Sequence, residues 1–207
     1  ECLLDQDEEW FHLQTDAGQE RIKVHEYDRV YDIPGLYEEV VYNKLQCDSP
    51  KVMAGLLKEA MAAHGDEDEP LRILDFGAGN GISGEAIQEA LETETVVGVD
   101  IIDAAKKAAE RDRPEVYDDY YVMDLSQPEA EETRALERWD FNALVTIAAL
   151  GFGDIPTQAF VNSFNLMPEG SWVAFNIKDR FLGSSDDTGY HEMLQEMIGS
   201  SLQVYRK

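Results

Sequence analysis

A doubly wound α/β sheet is the fold class this sequence predicts, and three observations predict it. From Pro70 onward, short β-branched runs alternate with helical patterns, which implies parallel strands with helices on both faces. A glycine-rich turn follows the first of those strands. Acidic residues end the first three of them, at the carboxyl edge where open α/β sheets bind ligands.

The elements follow in chain order. Residues 10–13 and 21–25 are short apolar or alternating runs around Thr15-Asp16-Ala17-Gly18-Gln19, which read as a β-hairpin. Residues 37–45 read as helical. Ser49-Pro50 opens a helix that reaches His64 and stops at Gly65. Its stripe of Val52, Met53, Leu56, Leu57, Ala60 and Met61 is a packing face and not a cofactor box. Residues 65–69 form an acidic connector.

Residues 71–76 read as the first core strand and 82–91 as the helix after it, with Ile82, Ala86, Ile87, Ala90 and Leu91 on one face. The next strand covers 95–99, and the next helix 103–111 with Asp103 as its N-cap. Strands at 120–123, 141–147 and 171–177 alternate with helices near 128–138 and 156–166, each with a proline near its first turn. A helix over 189–198 and the start of a strand at 201–205 end the chain. Sheets of this type close with a further antiparallel strand, so a C-terminal strand is expected to be missing. Residues 1–48 form an N-terminal extension, hairpin and lid, and residues 49–207 form the main domain. There are no internal repeats.

Composition sets limits on partners. At 207 residues the chain suits one domain with a small extension, and 43% hydrophobic residues suffice for a core. That excludes disorder despite a formal net charge of −26 from 43 acidic and 17 basic residues. Such a balance repels phosphate backbones and anionic lipid, so neither nucleic acid nor membrane is an expected partner. The acidity reads as a spread surface property. No apolar run approaches the roughly 20 residues of a membrane span. Cys2 and Cys47 make no disulfide framework, which suits a reducing, cytoplasmic compartment. His12, His25, His64 and His191 lack ligand spacing, so no metal site is expected.

The stretch Asp75-Phe76-Gly77-Ala78-Gly79-Asn80-Gly81 carries the most information. Glycines between a strand and a helix let the backbone turn tightly and approach a ligand. Gly79-Asn80-Gly81-Ile82-Ser83-Gly84 formally matches the dinucleotide pattern G-x-G-x-x-G, and no P-loop is present. A pyrophosphate would sit on helix N–H groups; Asp75 at the loop entry opposes it and suits an amine or a sulfonium. Asp100 ends the second strand, where an acid accepts both hydroxyls of a ribose. Asp124 ends the third strand, placed for an adenine amino group. Each acid singly also reads as a strand-end cap.

These motifs, with Gly98-Val99-Asp100 and Met123-Asp124-Leu125, resemble the first three motifs of the class I S-adenosylmethionine-dependent methyltransferases. The resemblance spans roughly residues 49–205. It implies S-adenosylmethionine as cofactor, with Gly77, Ala78, Gly79, Asn80 and Gly81 near its methionine part and Asp75 at the entry. Asp100 would hold the ribose. Ile101 and Met123 would pack on the adenine, with Asp124 and the Leu125 amide at its edge. The segment 146–153, including Ala148, would line the methyl-transfer site. Ala148-Ala149-Leu150-Gly151 stands where relatives acting on bases or glutamine carry Asn/Asp-Pro-Pro-aromatic. That departure agrees with the acidity in setting aside nucleic-acid bases, and a small-molecule acceptor is expected in preference to a protein.

Tyr27-Asp28-Arg29-Val30-Tyr31-Asp32 resembles the tyrosine-rich entry segment of some small-molecule methyltransferases, while packing of the N-terminal helices would also explain Tyr27, Tyr31, Tyr37 and Tyr42. His25, Tyr27 and Tyr31 are the candidate catalytic residues because they precede the core in the expected lid. The alternatives are a nicotinamide-dependent oxidoreductase and a non-catalytic adenosine-ligand-binding protein, since fold does not fix function. The acceptor, the base and the oligomeric state are not legible in the residues.

Overall fold

The structure, a computed structural model, describes residues 9–16, 18–66, 68–151 and 153–198. Strands β1 (Trp10–Thr15) and β2 (Gly18–Lys23) pair antiparallel as the expected hairpin. Then come α1 (Tyr27–Asp32), a π-helix (Glu38–Lys44) and α2 (Ser49–His64), which ends at Gly65. The core runs β3 (Leu71–Phe76), α3 (Ile82–Ala90), β4 (Thr93–Asp100), α4 (Asp103–Asp112), β5 (Asp119–Val122) and α5 (Ala130–Glu137). It continues through β6 (Ala143–Thr146), α6 (Thr157–Phe164), β7 (Trp172–Phe175), a 3-10 turn (Asp179–Leu182) and α7 (Tyr190–Ile198). The strand expected at 201–205 and the expected sheet closure lie outside the described residues.

The five core strands are all parallel, in the order β5-β4-β3-β6-β7. Strand order reverses between β3 and β6, and such a switch point opens a crevice at the strands' carboxyl ends. Both sheet faces are buried, and the period-2 alternation shows it. Ile73, Val96, Ala143 and Val145 pack with Ala54, Leu57 and Met61 of α2 and Ile87 of α3. Their chain neighbours Leu74, Val97 and Leu144 pack on the other face with Leu136 of α5 and Phe160 of α6. Each such fully buried aliphatic contributes about 1.5–3 kcal/mol of transfer free energy.

Two local readings change. The N-cap of α4 is Ile102, and Asp103 is the first helical residue, paired instead with Lys107 one turn on at 2.5 Å. A first-turn acid complements the helix dipole without capping it. Residues 38–44 form a π-helix rather than an α-helix, closed by the Leu45 N–H donating to Val40 O at 2.9 Å. In an α-helix of about 3.6 residues per turn, Tyr37 and Tyr42 would diverge by roughly 140°. Here their rings meet edge to face at 6.0 Å.

Candidate functional site

A cavity of about 170 Å³ lies at the carboxyl ends of β3 to β6. Its floor is the loop after β3, and Gly77, Ala78, Gly79 and Asn80 all line it. Gly77 and Gly79 have φ of +75° and +55°, a region where a side chain is strained. A Cβ on Gly79 would lie 2.7 Å from the Tyr31 hydroxyl, and one on Gly77 2.8 Å from the Ala149 Cβ. The glycines therefore admit protein as closely as they would admit a ligand.

The loop is held from beneath by two tyrosines that sequence reasoning missed. Tyr120 donates to Gly79 O at 2.8 Å, and Tyr117 donates to Asp75 Oδ2 at 2.8 Å. Nothing in the local pattern before β5 marks these rings as loop supports; only the parallel pairing of β4 with β5 brings them under it. Asp75 is 0% exposed and faces Tyr117, not the cavity. This corrects the expectation that its carboxylate meets a cationic ligand: β3 alternation turns it under the loop. Burial pushes its carboxyl up to about 7, helped by the charge of Asp100 and opposed by the Tyr117 hydroxyl and the Gly84 N–H. Gly81 also stands off the cavity, backed by Tyr117 and Arg113.

Asp100 does reach the cavity. Its Oδ2 accepts the Gly79 N–H at 2.9 Å and its Oδ1 the Ile102 N–H at 3.0 Å. Burial raises its carboxyl above the usual range, and these N–H groups work against the rise. Ile101, Met123, Asp124 and Leu125 continue the wall. Ile101 is 61% exposed, a large aliphatic left on the rim. Asp124 Oδ1 also accepts the Ser126 N–H at 2.8 Å, so the strand-end cap reading holds as well. Hydrogen bonds from Ser126 hold its carboxyl below the usual range.

The far wall comes from the loop after β6 and from the N-terminal segment. Ala148 lines it with φ +55°, and its N–H donates to Asn176 Oδ1 at 2.7 Å. Such strain, held by a side chain brought from the end of β7, clusters at functional sites. Tyr27, Tyr31, Tyr37 and Tyr42 face this wall, and Asp154 joins them. His25 does not line the cavity; it lies behind Tyr27, whose hydroxyl is 2.8 Å from its Nδ1. Burial raises the Tyr27 and Tyr31 phenols well above their ordinary range, so both are neutral hydroxyls and not bases at neutral pH.

An ion cluster ties the π-helix to the loop. Arg113, with a side chain 12% exposed, donates to Glu38 Oε1 and Glu85 Oε2 at 2.9 Å each and to Asn80 O at 3.2 Å. Asn80 in turn donates to Glu38 at 2.7 Å. Arg113 arrives from the end of α4, while Arg72, inside β3, donates to Asp140 O at 2.6 Å. Among the described residues no His, Cys, Asp and Glu group is placed to hold a metal ion, and no helix is long and apolar enough to cross a membrane.

No family model matches the sequence, and no curated protein matches it. Solved structures do. One is an S-adenosylmethionine-dependent methyltransferase from Clostridium acetobutylicum, at TM-score 0.50 and 16% identity over 72% of this chain and 58% of that one. Another is the CurJ carbon methyltransferase, at TM-score 0.50 and 15% identity over 72% of this chain and 39% of that one. The chain thus spans little more than half of the first protein and well under half of the second. At these identities the likeness is one of architecture: the chain has the fold of the class I S-adenosylmethionine-dependent methyltransferases.

Proposed function

We propose that the chain binds S-adenosylmethionine in this cavity and transfers its methyl group to a small molecule. The observation that carries the reading is the lining itself. It runs from the glycine loop past Asp100 to Met123 and Leu125, and it holds carboxylates with no Lys, Arg or His among the described lining residues. The parallel sheet alone does not choose between adenosine ligands, because dinucleotide enzymes share it. The charge does. A pyrophosphate would meet Asp100, whereas a sulfonium and an amine are favoured there.

The residues fit the ligand. Asp100 offers acceptors for ribose hydroxyls, Ile101 and Met123 offer apolar faces to an adenine, and Asp124 offers its edge an acceptor. The sulfonium supplies an electrophilic methyl, so the protein's task is to hold the acceptor in line and exclude water. The N-terminal tyrosines act as the lid that does so. A cytoplasmic setting fits Cys47 as a free thiol.

Calorimetry with S-adenosylmethionine, S-adenosylhomocysteine and NAD on one preparation tests this reading. Both sulfur ligands should bind more tightly than NAD, and the reverse order would sink it. Gly79→Val and Asp100→Ala should each weaken the sulfur ligands by about tenfold or more, or about 1.4 kcal/mol. Binding without methyl transfer to any acceptor would favour the non-catalytic adenosine-ligand-binding alternative.

A further inference from the structure

Asp154 is a carboxylate that the cofactor leaves without a task. It lies on the acceptor wall, its side chain 36% exposed. Its Oδ2 accepts the Tyr27 hydroxyl at a long 3.4 Å and stands 3.6 Å from His25 Nδ1. Beside it runs a row of rings: Tyr27 stacks on Tyr31 at 5.9 Å, and Tyr31 lies 4.8 Å from Tyr37. The middle ring, Tyr31, sets its hydroxyl over Gly79.

Resting on the methyltransferase reading, we propose that the acceptor is an amine, whose ammonium docks on Asp154 against the tyrosine rings and is methylated on nitrogen. An ammonium is bound by a carboxylate through charge-assisted hydrogen bonds and by aromatic rings through their quadrupoles. An anionic acceptor would instead meet Asp100, Asp124 and Asp154 with no cation among the described lining residues. A neutral hydroxyl would add only one more hydrogen bond to those Asp154 already has from Tyr27 and solvent, and no opposite charge. Tyr27 stays a neutral hydroxyl because burial and the Asp154 charge both raise its phenol, so the wall's negative charge belongs to Asp154.

The chemistry balances. The docked ammonium gives one proton to the Asp154 carboxylate, and the freed lone pair on nitrogen bonds the methyl carbon. The carbon–sulfur bond breaks with its electrons on sulfur, which becomes a neutral thioether. The new N-methylammonium keeps the positive charge that the sulfonium lost.

The test titrates S-adenosylhomocysteine-loaded protein with benzylamine, benzyl alcohol and benzoate, read by calorimetry and saturation-transfer NMR. Benzylamine should bind about tenfold or more tighter than either congener, and Asp154→Asn should erase that preference. Asp154→Glu should restore it in part, while S-adenosylhomocysteine affinity shifts by less than about twofold in both variants. Benzoate binding as well as benzylamine, no benzylamine binding, or a preference that survives Asp154→Asn would each overturn the proposal. Should S-adenosylhomocysteine itself fail to bind, the methyltransferase reading falls separately. Benzylamine titration of the unloaded protein and its Asp154→Asn variant then still decides whether Asp154 is an ammonium site.

Discussion

The two walls of the cavity are built differently. The glycine-loop wall grows directly out of β3 and β4, whose central residues Ile73, Leu74, Val96, Val97 and Val99 are fully buried. The tyrosine wall belongs to a segment outside the sheet. It is docked through a small cluster of Tyr31 with Ala104, Ala105 and Ala108 of α4, through Arg111 donating to Tyr31 O at 3.1 Å, and through the Arg113 cluster. The first wall is as stable as the core. The second is held by side-chain contacts, and on the proposed lid reading these open without the sheet unfolding. One chain thus keeps the proposed cofactor end preformed and leaves the proposed acceptor end adjustable.

The largest effect tests the rigid wall. Leu74→Ala removes a fully buried side chain from the sheet face that packs on α5 and α6, and should cost about 2–5 kcal/mol. Denaturant unfolding measures it, and a loss below 1 kcal/mol (roughly the scale of surface substitutions) would break the contrast. The tyrosine wall should melt together with the sheet in that variant.

A middle-sized effect comes from Asp75, sealed under the loop. Its folded-state carboxyl sits up at about 7, against about 3.9 in an unfolded chain. Between those values the folded protein holds the proton more strongly. Its contribution is therefore fully present below pH of about 4 and is lost as pH rises through 7. The slope approaches on the order of 1.4 kcal/mol per pH unit. Asp75→Asn should flatten the stability profile across that window, measured by chemical unfolding at successive pH values. An unchanged slope would show that the loop is more hydrated than its packing implies.

The smallest effect probes the adjustable wall. Arg113→Met unties Glu38 and the Asn80 carbonyl while keeping an apolar stem in place. Global stability should fall by only about 1 kcal/mol, or roughly 2–4 °C in melting temperature. Limited proteolysis within residues 27–48 should nevertheless accelerate clearly. Equal protection of that segment in both proteins would mean that the tyrosine wall does not depend on this clasp.

The sheet was legible because period-2 apolar runs between helices leave parallel pairing as the way to bury both faces. The glycine loop and Asp100 were legible because strand-end chemistry is local: a short run of residues makes the turn and places the acid beside it. Tyr117 and Tyr120 were not, since they approach the loop across the neighbouring strand. Arg113 was invisible for the same reason, being separated in sequence from both Glu38 and Asn80.

By itself the sequence determined the order of elements, the glycine loop after β3 and the acids at the end of β4 and just beyond β5. Those follow from periodicity and from residues a few positions apart. Tertiary structure alone decided that Asp75 turns under the loop instead of into the cavity, because strand alternation and the Tyr117 hydroxyl fix its direction together. It also decided that residues 38–44 wind as a π-helix. That winding puts Tyr37 and Tyr42 on one side, with Glu38 against Arg113. Contacts made across distant parts of the chain outweigh the small local preference for an ordinary helical turn.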